Sequence, residues 1–141
     1  MMHMDQLYDP SENHLPLDEA LQRIGPAFRR VCMDRALGDA KVLENYERMA
    51  ARGTPELILQ SQRGLLGAAA WISVNDDDTP DGRVEFLLLD HVDVWIHFCS
   101  SADRYRLRPL VCKIAGLLGY QIYSMESQDD APGAPAGSED T

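Results

Sequence analysis

The stretch 83–123 constrains the fold more than any other part of the chain. Two apolar runs, 84–89 and 94–99, are rich in β-branched and aromatic residues, and polar turn residues separate them. Short runs of this kind, bounded by turn signals, are typical of β-strands. We predict a β-hairpin in which a three-residue loop places Leu88 beside Ile96, whereas a two-residue loop would shift this pairing.

An amphipathic helix and a returning strand follow the predicted hairpin. Apolar residues recur at the spacing of one helix face, which predicts a helix over 103–118 with Ser101 or Asp103 as its cap. Pro109 predicts either a kink or a helix that begins there. Gly119 suits the helix end because glycine tolerates the left-handed conformation. The run 120–125 then predicts a strand, and the helix becomes a crossover.

Helical periodicity dominates the first third of the chain. Apolar residues predict a helix over 17–32 that is kinked at Gly25–Pro26, since the apolar face stays in phase across the break. Gly38–Asp39 predicts a stop followed by a cap, and a second amphipathic helix follows and ends at Gly53.

Two further segments complete the predicted fold. The segment 55–62 has features of both a helix start and a strand, and we favour the strand; 68–74 is a clearer strand, and 75–82 is a loop. The elements together predict an α+β fold. Two N-terminal helices pack on a mostly antiparallel sheet of four or five strands, with one C-terminal crossover helix.

The chain length and the polar termini predict one domain with two flexible ends. The 141 residues correspond to a single domain, which we place at 15–125. Residues 1–14 are polar and lack a pattern, which predicts a flexible arm. Residues 126–141 consist mainly of Asp, Ser, Pro, Gly and Ala, which predicts a disordered acidic tail.

The net charge of −10 is concentrated in three segments. Residues 1–12 carry −3, residues 76–82 carry −4 and residues 124–141 carry −5, so the remaining body is close to neutral. The absence of a basic stripe argues against nucleic-acid binding. The sequence shows no membrane-spanning run and no secretory signal pattern. With three cysteines and no C-x-x-C pair, we expect reduced thiols, a cytoplasmic location and no cofactor.

One candidate for chemistry lies on the second strand of the predicted hairpin. His97 and Cys99 share a strand face with Asp93, and a thiol, an imidazole and a carboxylate are the groups of a metal site or a nucleophile–base pair. The ordinary alternative is that these residues pack beside Trp95 at the edge of the core. We retain a small enzyme or metalloprotein with this site as the alternative function, although no metal is predicted.

Two charged clusters are candidates for binding. Arg104 and Arg108 share a helix face and are able to clamp a phosphate or a carboxylate, although pairing with nearby surface aspartates is the simpler interpretation. The loop 76–82 lacks the acidic residue spacing of an EF-hand calcium loop. We therefore interpret it as a solvated acidic turn.

The end of the predicted domain carries a resemblance to a known class of proteins. A helix that runs into Leu117-Leu118-Gly119-Tyr120-Gln121-Ile122-Tyr123, together with the predicted element order, resembles immunity proteins of bacterial toxin–immunity systems. The resemblance implies a non-enzymatic protein that binds and neutralises a cognate toxin, often through loops and acidic side chains. Here the implied partner-binding residues are Asp76, Asp77, Asp78 and Asp81. Eleven of the 13 basic residues are arginine, which fits a bacterial source. A homodimeric adaptor domain is a further alternative, and the sequence leaves the oligomeric state open.

Overall fold

The structure is a computed structural model that describes residues 3–126. This part of the chain contains six strands and five α-helices. The strands are β1 (His3–Tyr8), β2 (Arg30–Asp34), β3 (Ala69–Asn75), β4 (Arg83–Leu89), β5 (Val94–Phe98) and β6 (Gln121–Glu126). The helices are α1 (Leu17–Ile24), α2 (Arg35–Ala51), α3 (Glu56–Arg63), α4 (Ser101–Arg106) and α5 (Arg108–Leu118), and a short 3₁₀ turn spans Pro80–Gly82.

The strands form two three-stranded antiparallel sheets, so the prediction of one sheet with four or five strands is wrong. Sheet A has the order β5-β1-β6 and sheet B has the order β2-β3-β4. The α+β class and the predominance of antiparallel pairing are confirmed.

The predicted hairpin between β4 and β5 does not form, although both strands exist where expected. β4 pairs with β3 and β5 pairs with β1, while β4 and β5 lie side by side at the junction of the sheets. The connecting turn is held by other segments, because Asp90 N–H donates to the Ala68 carbonyl and His91 N–H to the Leu15 carbonyl. These bonds direct the two strands into different sheets.

Residues 3–8 are not a flexible arm but the central strand of sheet A. β1 pairs with β5 on one side and with β6 on the other, and Leu7 is fully buried. Its inward positions are His3, Asp5 and Leu7, of which two are polar. Because a strand is recognised by alternating apolar residues, these polar inward positions concealed it. The predicted tail at 126–141 lies outside the described residues, apart from residue 126 at the end of β6.

The N-terminal helices differ from the prediction in their limits. α1 ends at Ile24, and residues 30–32, which form the end of the predicted kinked helix, belong to strand β2. α2 begins at Arg35, where Asp34 accepts the Leu37 N–H as the N-cap. Gly38 is therefore inside the helix and is not a stop. The segment Glu56–Arg63 is helix α3, so the preference for a strand was also wrong.

The C-terminal half agrees with the prediction more closely. β3, β4, β5 and β6 are confirmed within one or two residues. The predicted helix divides at Leu107 into α4 and α5. Pro109 lies in the first turn of α5, so a helix begins near the proline and is not kinked there. Ser100 caps α4 instead of the two predicted residues, and Gly119 adopts φ 75°. β5 and β6 run parallel but are not adjacent, because β1 lies between them.

The main core lies between one face of the two sheets and helices α1 and α5. Alternate residues of β3, β4 and β5 point into it, and the largest fully buried side chains include Phe86, Ile72, Leu88, Ile96 and Ile114. We call this the inner face. α2 packs on the opposite, outer face of β3, where Gly38 approaches Ala70. This arrangement leaves space between α2 and the outer face of β4 and β5.

Candidate functional site

A cleft of about 580 Å³ lies between α2 and the outer face of β3, β4 and β5. We call it the α2 cleft. Its wall on α2 consists of residues spaced like one helix face: Lys41, Glu44, Asn45 and Arg48. Its floor consists mainly of outward residues of the strands, which alternate with the core residues: Trp71, Glu85, Leu87, Leu89, Trp95 and His97, with Phe86 and Asp93 also contributing.

Aromatic side chains are a main component of the cleft surface. The Lys41 Nζ lies 4.7 Å from the centre of the Trp71 ring, a cation–π contact. Trp95 is 38% exposed. The pairing of β1 with both neighbours places Trp95, Gln6 and Tyr123 in one row across sheet A. Tyr123, which is 53% exposed, thus lies on the same outer face as Trp95, with Gln6 between them.

The carboxylates of the cleft differ in their partners. Glu44 forms an ion pair with Arg48, with an N–O distance of 3.5 Å. Asp93 accepts a hydrogen bond of 2.5 Å from the Gln6 side-chain amide, and Glu85 accepts one of 3.5 Å from the Trp71 indole N–H. Within residues 3–126, neither Asp93 nor Glu85 has a cationic partner. Two negative charges in the cleft are therefore bonded only to neutral groups.

His97 lines the cleft as a neutral base. Burial among the cleft residues lowers the pKa of His97, and the positive charge of Arg48 lowers it further. The imidazole is therefore mostly uncharged near pH 7. It does not offset the two carboxylates.

The structure does not assemble the predicted site of Asp93, His97 and Cys99. Asp93 and His97 line the α2 cleft, but the exposed Cys99 follows the last residue of β5 and does not. In the described part of the chain, no group of three or more His, Cys, Asp or Glu side chains is placed to hold a metal ion. A metal-binding or catalytic role of Asp93, His97 and Cys99 stays a prediction.

The acidic loop 76–82 is a structured turn with internal partners. Asp76 accepts hydrogen bonds from Lys113 Nζ at 2.8 Å and from Arg29 N–H at 3.0 Å, and these bonds lower its pKa. Asp78 forms ion pairs with Arg29 at 3.2 Å and with Arg30 at 3.0 Å.

The other two aspartates of the loop also have contacts within the protein. The Thr79 hydroxyl and N–H donate to Asp77 and lower its pKa. Arg106 donates to the Asp81 carbonyl oxygen. A partner that binds the carboxylates of Asp76, Asp77 or Asp78 must therefore compete with bonds inside the protein, whereas the bond at Asp81 uses its backbone carbonyl. The partner-binding role of the four aspartates stays a prediction.

The Arg104–Arg108 clamp forms with a partner that the sequence did not indicate. The two guanidinium groups lie 3.6 Å from the two oxygens of Asp5, which is fully buried. Arg108 also donates to the Ser124 hydroxyl at 2.7 Å. The clamp binds a carboxylate of the same chain and ties β1 to the α4–α5 segment.

Sequence reasoning missed most of the α2 cleft. The predicted site contributed Asp93 and His97, and Trp95 was assigned only a packing role. The available signal was the polar face of α2 at the spacing of residues 41, 44, 45 and 48, but a polar helix face is ordinarily solvent-exposed. The contact of this face with strand residues required the tertiary structure.

Comparison of the chain with protein-family models, curated proteins and solved structures found no match. Among the described residues, no helix combines the length and the apolar character needed to cross a membrane.

Proposed function

We propose that this protein is a non-enzymatic protein-binding module whose α2 cleft receives a basic segment of its partner. The observation that carries the proposal is the pair of carboxylates, Asp93 and Glu85, that have only neutral hydrogen-bond partners beside two tryptophan rings. The cleft lining has three carboxylates and two cations, so an arginine or lysine of the partner supplies the one positive charge that the lining lacks.

The aromatic side chains support the same type of partner. Tryptophan and tyrosine are enriched among the residues that dominate protein–protein binding energy. A guanidinium or ammonium group also binds favourably over an indole ring, as Lys41 does on Trp71. A basic side chain that enters the cleft would contact the exposed Trp95 ring together with the carboxylate of Asp93 or Glu85.

The specific form of the proposal is a toxin-neutralising immunity protein. The resemblance of the segment 117–123 to immunity proteins supports this form, as does an overall charge of −10, which attracts basic partners over a distance. The acidic loop 76–82 is the competing location for the interface within the same function.

The experiment compares capture by three forms of the immobilised protein in a lysate of the source organism. These forms are the wild type, the cleft variant Asp93→Asn/Trp95→Ala, and the loop variant Asp76→Asn/Asp77→Asn/Asp78→Asn. We expect one stoichiometric protein whose binding falls at least about tenfold in the cleft variant and changes little in the loop variant. Circular dichroism and thermal melting of each variant control for folding.

The captured protein is then expressed with and without this chain. Growth inhibition that co-expression of the wild type relieves, and that the cleft variant fails to relieve, supports the immunity function. A partner retained equally by the cleft variant contradicts the cleft interface, and loss in the loop variant alone places the interface at the loop. A captured partner that does not inhibit growth contradicts the toxin-neutralising form of the proposal.

A further inference from the structure

Strand β2 is an edge strand that presents its free side to solvent. It pairs with β3 in sheet B and has no second strand partner in the described chain. Four of its five residues are exposed, and only Val31 is half-buried. An exposed edge has unpaired backbone N–H and C=O groups, which are a template for another strand.

The sequence of β2 is complementary to itself in the antiparallel direction. The strand reads Arg30-Val31-Cys32-Met33-Asp34. When two copies pair about a two-fold axis through Cys32, each Arg30 faces Asp34 of the other copy. Each Val31 faces Met33, and the two Cys32 residues face each other. Opposite charges and paired apolar side chains in directly opposed positions stabilise antiparallel strands.

The side chains are accessible for this pairing. The Arg30 side chain is 67% exposed, and its contact with Asp78 uses one of the guanidinium nitrogens. Asp34 uses Oδ1 to cap α2 and retains Oδ2. Met33 is 38% exposed and Cys32 is exposed.

We propose that two copies of this chain associate through β2, joining their B sheets into one continuous six-stranded antiparallel sheet. The pairing is isologous, so it closes at two copies and does not extend into a fibre. This surface lies on the free edge of β2, whereas the residues of the α2 cleft come from α2, β3, β4, β5 and the turn between β4 and β5. The proposal is therefore independent of the proposed function.

The first test uses the free thiols as position markers in the full-length chain. In a Cys99→Ser/Cys112→Ser protein, Cys32 is the one remaining thiol, and the matched control Cys32→Ser/Cys112→Ser retains only the exposed Cys99. Under mild oxidation with copper–phenanthroline we expect the Cys32 protein to form a disulfide-linked dimer at least about tenfold faster than the control, since two opposed strand residues are within disulfide range. Equal rates overturn the proposal.

The second test reverses the charges. In a dimer of the Arg30→Asp variant, a carboxylate at position 30 faces Asp34 of the other copy, and in a dimer of the Asp34→Arg variant, a guanidinium at position 34 faces Arg30. Each variant alone should therefore weaken the dimer at least about tenfold, as measured by sedimentation velocity. An equimolar mixture of the two variants restores both opposite-charge pairs, and we expect dimer formation to return. The control Arg83→Asp makes the same charge change on β4, at the opposite edge of sheet B, and should have less than about a twofold effect.

The outcomes of this second test are separable from misfolding. Circular dichroism verifies that each variant is folded, and recovery in the mixture occurs only if both variants are folded. The proposal is overturned if the wild-type chain stays monomeric at every concentration used in sedimentation velocity. It is also overturned if the mixture of the two variants forms no more dimer than each variant alone.

Discussion

At the scale of single residues, Asp5 links the N-terminal strand to the rest of the protein. It is fully buried, and its partners Arg104 and Arg108 come from helices α4 and α5, far from it in the sequence. A buried charge is tolerated only when it is paired, because transfer out of water costs several kcal/mol. The exposed pair of Asp78 with Arg29 and Arg30 has the same chemistry but remains hydrated.

The two aspartates therefore differ in their effect on stability. We expect Asp5→Asn to lower the free energy of unfolding by about 3 kcal/mol, because Arg104 and Arg108 lose a buried carboxylate. The matched variant Asp78→Asn should lower it by less than about 1 kcal/mol, because the surface pair is screened by solvent. Urea denaturation monitored by tryptophan fluorescence measures both. Equal effects of the two substitutions would contradict the structural role of Asp5.

His97 predicts a pH dependence of stability at the same scale. Its pKa in the folded protein lies below the usual value of 6.5, so the unfolded chain binds a proton more readily than the folded chain does. Above pH 6.5, His97 is neutral in both states and proton binding costs the folded state nothing. As the pH falls below 6.5, the unfolded chain binds the proton more tightly, so the free energy of unfolding decreases. The free energy of unfolding of the wild type should thus decline between pH 7.5 and pH 5.5. His97→Gln, which does not titrate, should decline less, and an unchanged slope would argue against this assignment.

At the scale of elements, the packing of α2 on β3 depends on a glycine. A Cβ added at Gly38 would lie 2.7 Å from the Cα and N of Ala70, which are backbone atoms and cannot rotate away. Gly116 in α5 has no atom within 4 Å of the same position. The two helical glycines thus have opposite environments.

Alanine substitution should distinguish these two positions. We expect Gly38→Ala to destabilise the protein by about 1–3 kcal/mol, because α2 must move away from β3. Gly116→Ala should stabilise it by about 0.5–1 kcal/mol, because alanine is the better helix former and no contact opposes it. Thermal and urea unfolding of the two variants provide the comparison. A stabilising Gly38→Ala would show that α2 does not approach Ala70 closely.

At the scale of the whole molecule, β1 makes residues 3–8 part of the fold. It is hydrogen-bonded to both β5 and β6, and α4 packs against it. Without β1, β5 and β6 would have no strand between them, and Arg104 would lose its contact with Asp5.

Removal of residues 1–8 is therefore expected to abolish cooperative folding. Circular dichroism and a urea titration should show loss of the sheet signal and of a sharp transition, since the central strand of sheet A is missing. Removal of residues 1 and 2, which precede β1, is the matched control and should leave a cooperative transition. A stable protein lacking residues 1–8 would mean that sheet A is not organised around β1.

The sequence by itself predicted the elements whose patterns are local. The runs that became β3, β4, β5 and β6 are apolar and bounded by turn residues, and Gly119 ended α5 as its backbone freedom allows. At the candidate site, the sequence identified Asp93 and His97 on one strand face, but not the α2 residues opposite them.

Only the tertiary structure decided which strands pair and what the polar residues meet. β1 has His3 and Asp5 at inward positions, so its periodicity is visible only once Arg104 and Arg108 are placed over it. The apolar residues of the segment Arg30–Asp34 continue the helical spacing of the preceding segment. The segment nevertheless forms a strand, because β3, far from it in sequence, pairs with it through backbone hydrogen bonds. The α2 cleft likewise joins residues that are far apart in sequence. Strand pairing and side-chain burial depend on contacts between residues that are distant in sequence, so a local sequence pattern does not predict them.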